Sequence, residues 1–249
     1  MLKEEWVCLG LLSLDKSRIP ASKEDAARKI DYTVLRPTDT IEQMLMHARN
    51  ADKLGFRSIV VPPFIVASVK EIVKIPVSTV ISFPLGYNSL DVKIEEVRQA
   101  HRLGADEVDV VLNISAMKSR SWDYVEKEVK AIAELTRSLG LTSKFIIETS
   151  YLSREEIEKA SRIIASSGGD YIKTNTGFGS RGVSLEDIII IRKAVGSGVG
   201  IKAAGGIRTA LQAILLWGIG ADILGTSSAL EIYNEYEETL KYIRGSLIE

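Results

Sequence analysis

Lys173 and Lys202 carry the first chemical signal in the sequence. Lys173 ends the apolar part of Asp170-Tyr-Ile-Lys-Thr-Asn-Thr-Gly-Phe-Gly179, and Lys202 lies in Val199-Gly-Ile-Lys-Ala-Ala-Gly-Gly-Ile-Arg-Thr209. Each joins an apolar strand to a glycine-containing turn. A lysine at a buried strand end is costly unless it is paired or used. Strands one βαβ unit apart are neighbours in a parallel sheet, about 4.8 Å apart, which brings the two ammonium groups within charge range. Burial and a second ammonium both disfavour protonation. A free lysine amine is the nucleophile that a Schiff base needs. The residues alone leave open which lysine is the nucleophile and which the proton donor or electrostatic perturber.

Other polar residues fall at expected strand ends: Asp31, Asp109, Asn113 and Glu148. Asp109 is suited to relay protons through water or to orient Lys202. Asp31 is a weaker candidate for the same relay. Ala203-Ala-Gly-Gly206 and Gly225-Thr-Ser-Ser228 follow the last two expected strands. Glycine lets backbone N–H groups approach a ligand, and a helix start favours an anion. These loops, with Gly205, Gly206, Ser227 and Ser228, are candidate phosphate-binding turns; Gly177 and Gly179 close the site from the turn after Lys173, where Thr176 is a further candidate. His47 and His101 read as packing or surface residues within helices. No H-x-H or H-E-x-x-H spacing occurs and Cys8 is the single cysteine, so no metal site is expected.

The elements that would position these residues repeat regularly. Short Val- and Ile-rich runs are predicted as strands at 30–35, 58–61, 77–81, 107–112, 144–147, 171–172, 199–201 and 221–224, with helices between them. Strands of that kind are buried on both faces, and their alternation with helices implies a parallel sheet with right-handed crossovers. Eight units in 249 residues point to an α/β protein with a (β/α)8 TIM barrel as a single domain. No G-x-G-x-x-G follows the first strand, which argues against a dinucleotide fold. We divide the chain into an N-terminal extension, residues 1–21, and a barrel, residues 22–249. The apolar run at 6–14 is read either as a tail packed beneath the barrel or as a subunit contact. It is too short to span a bilayer. Hydrophobic residues make up 45% and charged residues 26%, and 32 Lys and Arg nearly cancel 33 Asp and Glu. That balance gives no case for nucleic acid as a partner. A cytoplasmic protein is expected, with no membrane association.

The chain resembles the deoxyribose-phosphate aldolase family of class I, Schiff-base aldolases, from about residue 30 to 230. The resemblance rests on Asp106-Glu-Val-Asp-Val-Val-Leu-Asn113, Phe145-Ile-Ile-Glu-Thr149, Tyr171-Ile-Lys-Thr-Asn-Thr-Gly-Phe178, Ile201-Lys-Ala-Ala-Gly-Gly-Ile-Arg-Thr209 and Gly225-Thr-Ser-Ser228. It implies that Lys173 forms the Schiff base, that Lys202 is the second lysine and that Asp109 is the proton relay. It also implies reversible cleavage of 2-deoxy-D-ribose 5-phosphate to D-glyceraldehyde 3-phosphate and acetaldehyde, without cofactor, by a homodimer or homotetramer. The alternatives are another Schiff-base sugar-phosphate aldolase and a non-catalytic phosphate-ligand binding barrel. The chain departs from the family pattern at Tyr32, Pro62, Ser82 and Leu224, which puts substrate detail in question.

Overall fold

A computed structural model describes residues 14–246 of the chain. Its strands are β1 (Ile30–Thr33), β2 (Ser58–Val61), β3 (Val77–Ile81), β4 (Glu107–Val111), β5 (Thr142–Ile146), β6 (Tyr171–Lys173), β7 (Gly200–Ala204) and β8 (Ile223–Thr226). Every neighbouring pair is parallel, and β8 pairs with β1 through Ile30↔Leu224 and Asp31↔Gly225, so the sheet closes. Closure removes both sheet edges. The fold is the expected (β/α)8 barrel.

Alternate strand residues face opposite sides. Ile59, Val61, Val108, Val110, Ile172, Ile201 and Leu224 belong to the apolar layer between barrel and helices. The intervening positions carry Asp31, Ser58, Ser78, Glu107, Asp109, Lys144, Lys173 and Lys202, all of them buried. Barrel interiors are ordinarily filled by branched apolar side chains; here the lower interior is polar and charged.

Local signals in the sequence set most helix starts. Reciprocal capping boxes open the helices Ile41–Lys53, Arg154–Ser166, Leu185–Val195 and Ala210–Gly218, at Thr40, Ser153, Ser184 and Thr209 respectively. Ser22 caps the short helix Lys23–Ala27. The helix Ile114–Lys118 was not expected from the sequence; Asn113 starts it by accepting a hydrogen bond from the Ala116 N–H at 2.9 Å. β7 continues through Ala204 rather than stopping at 201, and β5 begins at Thr142 rather than 144.

Most of the apolar run at 6–14 lies outside the described residues. Residues 14–21 pass under the barrel: the Asp15 N–H donates to Gly218 O at 2.8 Å, and the Tyr236 hydroxyl donates to Pro20 O at 2.9 Å. No helix among the described residues is long and apolar enough to cross a membrane.

Candidate active site

The barrel interior holds a ladder of ion pairs set by strand register. Asp109 lies beside Lys144 across β4 and β5, and Lys173 lies beside Lys202 across β6 and β7. Asp109 is the hub. Its Oδ2 accepts from Lys173 Nζ and from Lys202 Nζ, each at 2.7 Å, and its Oδ1 accepts from Lys144 Nζ at 2.9 Å. Lys202 Nζ also lies 2.6 Å from Asp31 Oδ2. Lys144 Nζ lies 2.6 Å from Glu107 Oε2 and 3.0 Å from Ser78 Oγ. Below them the Arg57 guanidinium bridges Glu107 and Asp31.

The four catalytic candidates thus meet in one cluster, but not all at strand ends. Lys173 alone ends its strand. Asp109 and Lys202 are each the third residue of a five-residue strand, and Asp31 is the second residue of β1. Asp31 is sealed from solvent and pairs with Lys202 and Arg57. It lies beneath the cavity as a counter-charge to Lys202 and Arg57. The strand-end reading of Asn113 and Glu148 also changes. Asn113 caps a helix. Glu148, at φ +52°, accepts hydrogen bonds from the Thr176 N–H at 2.9 Å and from its hydroxyl at 2.6 Å, and so pins the turn after β6.

The electrostatics single out Lys173. Burial lowers its pKa; Asp109 pulls it back up; Lys202 and Lys144 push it down again, and the result is about 8. Burial also pushes the Asp109 carboxyl up, but Lys144, Lys173 and Lys202 outweigh it and hold the group well below the usual carboxylate range. Lys144 loses stabilisation by burial, yet Asp109, Glu107 and Asp31 hold it above the ordinary lysine range. Lys202 lowers the Lys173 pKa as expected, but burial is the larger cause.

Sequence reading missed Lys144. Its signal was present: Asp109 and Glu107 are two residues apart on one strand and must face the same side, so they require cations from neighbouring strands. Starting β5 at 144 hid it, because a lysine at a strand's first residue is unremarkable. The register that fixes Lys144 opposite Asp109 becomes visible only with the strand's true start.

Above the cluster a cavity of about 330 Å³ opens at the C-terminal mouth of the barrel. Lys173 lines it, together with all six candidate phosphate residues: Thr176, Gly177, Gly205, Gly206, Ser227 and Ser228. Gly205 and Gly206 adopt φ +96° and +75°, in the region that favours glycine. Gly225 is required for a different reason: a Cβ there would sit 2.8 Å from Lys202 Cε. The Ser228 carbonyl accepts from the Ile232 N–H at 3.0 Å and so starts the helix Ala229–Ser246, whose first-turn N–H groups have no intrahelical partner. The Ser228 N–H itself is taken by Thr226 Oγ1 at 2.9 Å.

None of the four departures from the family pattern lines this cavity. The Tyr32 hydroxyl faces the helix layer, 2.7 Å from His47 Nδ1. Leu224 lies in the same layer. Pro62 and Ser82 line an adjoining cavity of about 800 Å³.

The model of the DeoC/LacD family aldolases matches residues 24–235. A deoxyribose-phosphate aldolase of Thermococcus gammatolerans is 41% identical over 213 residues, covering 84% of this chain and 95% of that protein. Its counterpart from Thermococcus kodakarensis is 39% identical over 216 residues, covering 85% and 96%. Among solved structures, the tetrameric deoxyribose phosphate aldolase from Aeropyrum pernix superposes with a TM-score of 0.82 at 33% identity, covering 88% of this chain and 93% of that one. The aldolase QR15 gives 0.81 at 39%, covering 90% and 99%. With a buried lysine pair on a shared aspartate, a cavity built at the strands' C-terminal ends and relatives matched over nearly their whole length, the chain belongs to the DeoC/LacD aldolase family.

Proposed function

We propose that the protein is a class I aldolase that reversibly cleaves 2-deoxy-D-ribose 5-phosphate to D-glyceraldehyde 3-phosphate and acetaldehyde. The observation that carries this reading is Lys173: a buried amine with a pKa near 8, hydrogen-bonded to the carboxylate that also holds Lys202, and open to a cavity without carboxylates.

The proposed steps run as follows. The free Lys173 amine attacks the C1 aldehyde, and loss of water gives a protonated imine. The C2–C3 bond breaks, and its electron pair moves into the imine to form an enamine. The C3 hydroxyl proton leaves to the Asp109–Lys202 relay as glyceraldehyde 3-phosphate departs. A proton returns to C2, and water releases acetaldehyde and Lys173. The cationic imine is the electron sink throughout. The Gly205–Gly206 backbone, Ser227, Ser228, Thr176 and Gly177 hold the phosphate and set the distance from the anion to the reacting carbon.

The same reading treats residues 1–21 as an N-terminal extension and residues 22–249 as the barrel aldolase domain. It takes the enzyme to be cytoplasmic and homo-oligomeric, a dimer or tetramer, in keeping with the tetrameric Aeropyrum pernix relative. The direct test is turnover. Purified protein should release both aldehydes from deoxyribose 5-phosphate, and Lys173→Ala should lower kcat by about a thousandfold or more. Cleavage retained at the native rate in that variant would place the nucleophile elsewhere.

A further inference from the structure

The phosphate cavity contains charged side chains that the backbone-and-serine reading does not use. Of the residues lining it, three are cationic, Lys173, Arg36 and Arg208, and none is a carboxylate. The Lys173 amine is committed to Asp109 and to the carbonyl carbon. The phosphate of the substrate carries close to two negative charges near neutral pH, and backbone N–H groups alone do not neutralise them.

Arg36 is placed to do so. It follows β1 directly after Leu35, and its backbone is anchored: the Asp39 N–H donates to Arg36 O at 3.1 Å, and Pro37 fixes the next φ. The guanidinium is exposed and, among the described residues, lies within ion-pair range of no carboxylate. Among the described residues its one side-chain hydrogen bond runs from Nη2 to Ser227 Oγ at 3.5 Å, the outer limit of such a bond. An arginine loosely held on a candidate phosphate-binding hydroxyl, with its other donors unclaimed among the described residues, fits a tetrahedral dianion well, since the planar fork can present two parallel N–H groups.

We propose that Arg36 is a specificity-determining residue of the reaction: its guanidinium binds the substrate phosphate from the β1 loop, beside Ser227, and discriminates phosphorylated from unphosphorylated sugar. The proposal rests on the aldolase reading above and adds to it the side-chain charge that reads the phosphate. Arg36 does no chemistry at the reacting carbons, so its loss falls on binding.

Steady-state kinetics of Arg36→Ala and Arg36→Lys test this on two substrates, deoxyribose 5-phosphate and unphosphorylated 2-deoxyribose, with inorganic phosphate as a competitive probe. For Arg36→Ala, KM for the phosphorylated sugar should rise about 10- to 100-fold, the loss expected of a charge-assisted hydrogen bond. The inhibition constant of inorganic phosphate should rise in parallel. kcat/KM for 2-deoxyribose should stay within about twofold of wild type, as for a group that touches only the phosphate. Arg36→Lys should recover part of the loss, because charge is kept and the fork is not. Equal losses on both sugars, or an unchanged KM and phosphate inhibition, would overturn the proposal. Wild-type protein that cleaves neither sugar would overturn the aldolase reading itself, and the assignment of Arg36 with it.

Discussion

Lys173 owes its lowered pKa first to burial and only then to Lys202. With a pKa of about 8, about one Lys173 in ten carries a free amine at pH 7, and nearly all do by pH 9.5. The rate of imine formation should therefore climb with pH through that range and level off above it. Replacing Lys202 by Leu removes a charge that lowers the Lys173 pKa and leaves Asp109 less neutralised; both changes raise the Lys173 pKa. The expected outcome is a slower enzyme whose pH–rate rise is displaced to higher pH. An undisplaced rise in Lys202→Leu would show that Lys202 does not perturb Lys173. The two lysines were legible in the sequence because each interrupts an apolar strand just before a glycine turn. The choice between them was not, since their local patterns are alike. What separates them is their partners: among the described residues, Lys202 pairs with Asp31 as well as Asp109, whereas Lys173 pairs with Asp109 alone.

Single elements are held to the site by polar contacts that pattern reading does not supply. The end of β4 shows this best. Lys93 on the helix Leu90–Arg102 donates to Val111 O at 2.7 Å and pairs with Glu128 on the helix Trp122–Ser138. Glu128 in turn accepts from the Asn113 N–H at 3.1 Å. Both side chains are fully buried, and burial drives both toward neutrality, lowering the Lys93 pKa and raising that of Glu128. The pair clamps the strand that carries Asp109. Lys93→Met leaves a buried carboxylate without its cation and should cost about 3–5 kcal/mol of stability. The double variant Lys93→Met, Glu128→Leu should cost clearly less than the sum of the singles in urea unfolding, because no charge is then stranded. Additive losses would mean that the two groups do not act as a pair. In the sequence, Lys93 and Glu128 look like ordinary residues of amphipathic helices; only the packing of the two helices on one strand end brings them together. Helix starts were legible because Ser153–Glu156 and Ser184–Asp187 satisfy their own backbone donors locally, without tertiary help.

For the molecule as a whole, barrel closure makes a charged interior tolerable. Eight strands were legible from Val and Ile runs at regular spacing, and closure followed from their number. Strand ends were less so, since they depend on register with neighbours, and that is why Lys144 and the depth of Asp31 escaped. Inside the barrel four cationic side chains, Arg57, Lys144, Lys173 and Lys202, face three carboxylates, Asp31, Glu107 and Asp109. The set is electrically balanced when one lysine is neutral. Arg57 cannot deprotonate, Lys144 is held above the ordinary lysine range, and Lys173 is held below it. The whole interior thus favours one free amine, and the cationic cavity above it favours an anionic sugar.

Imine trapping tests the identity of that amine most directly. The protein would be incubated with acetaldehyde, reduced with borohydride and digested, and the adduct mapped by mass spectrometry. A two-carbon adduct is expected on Lys173, absent from Lys202 and Lys144 and lost in Lys173→Ala. A protein that stays unlabelled at all three interior lysines, or that carries the adduct on Lys202 or Lys144, would contradict the assignment to Lys173.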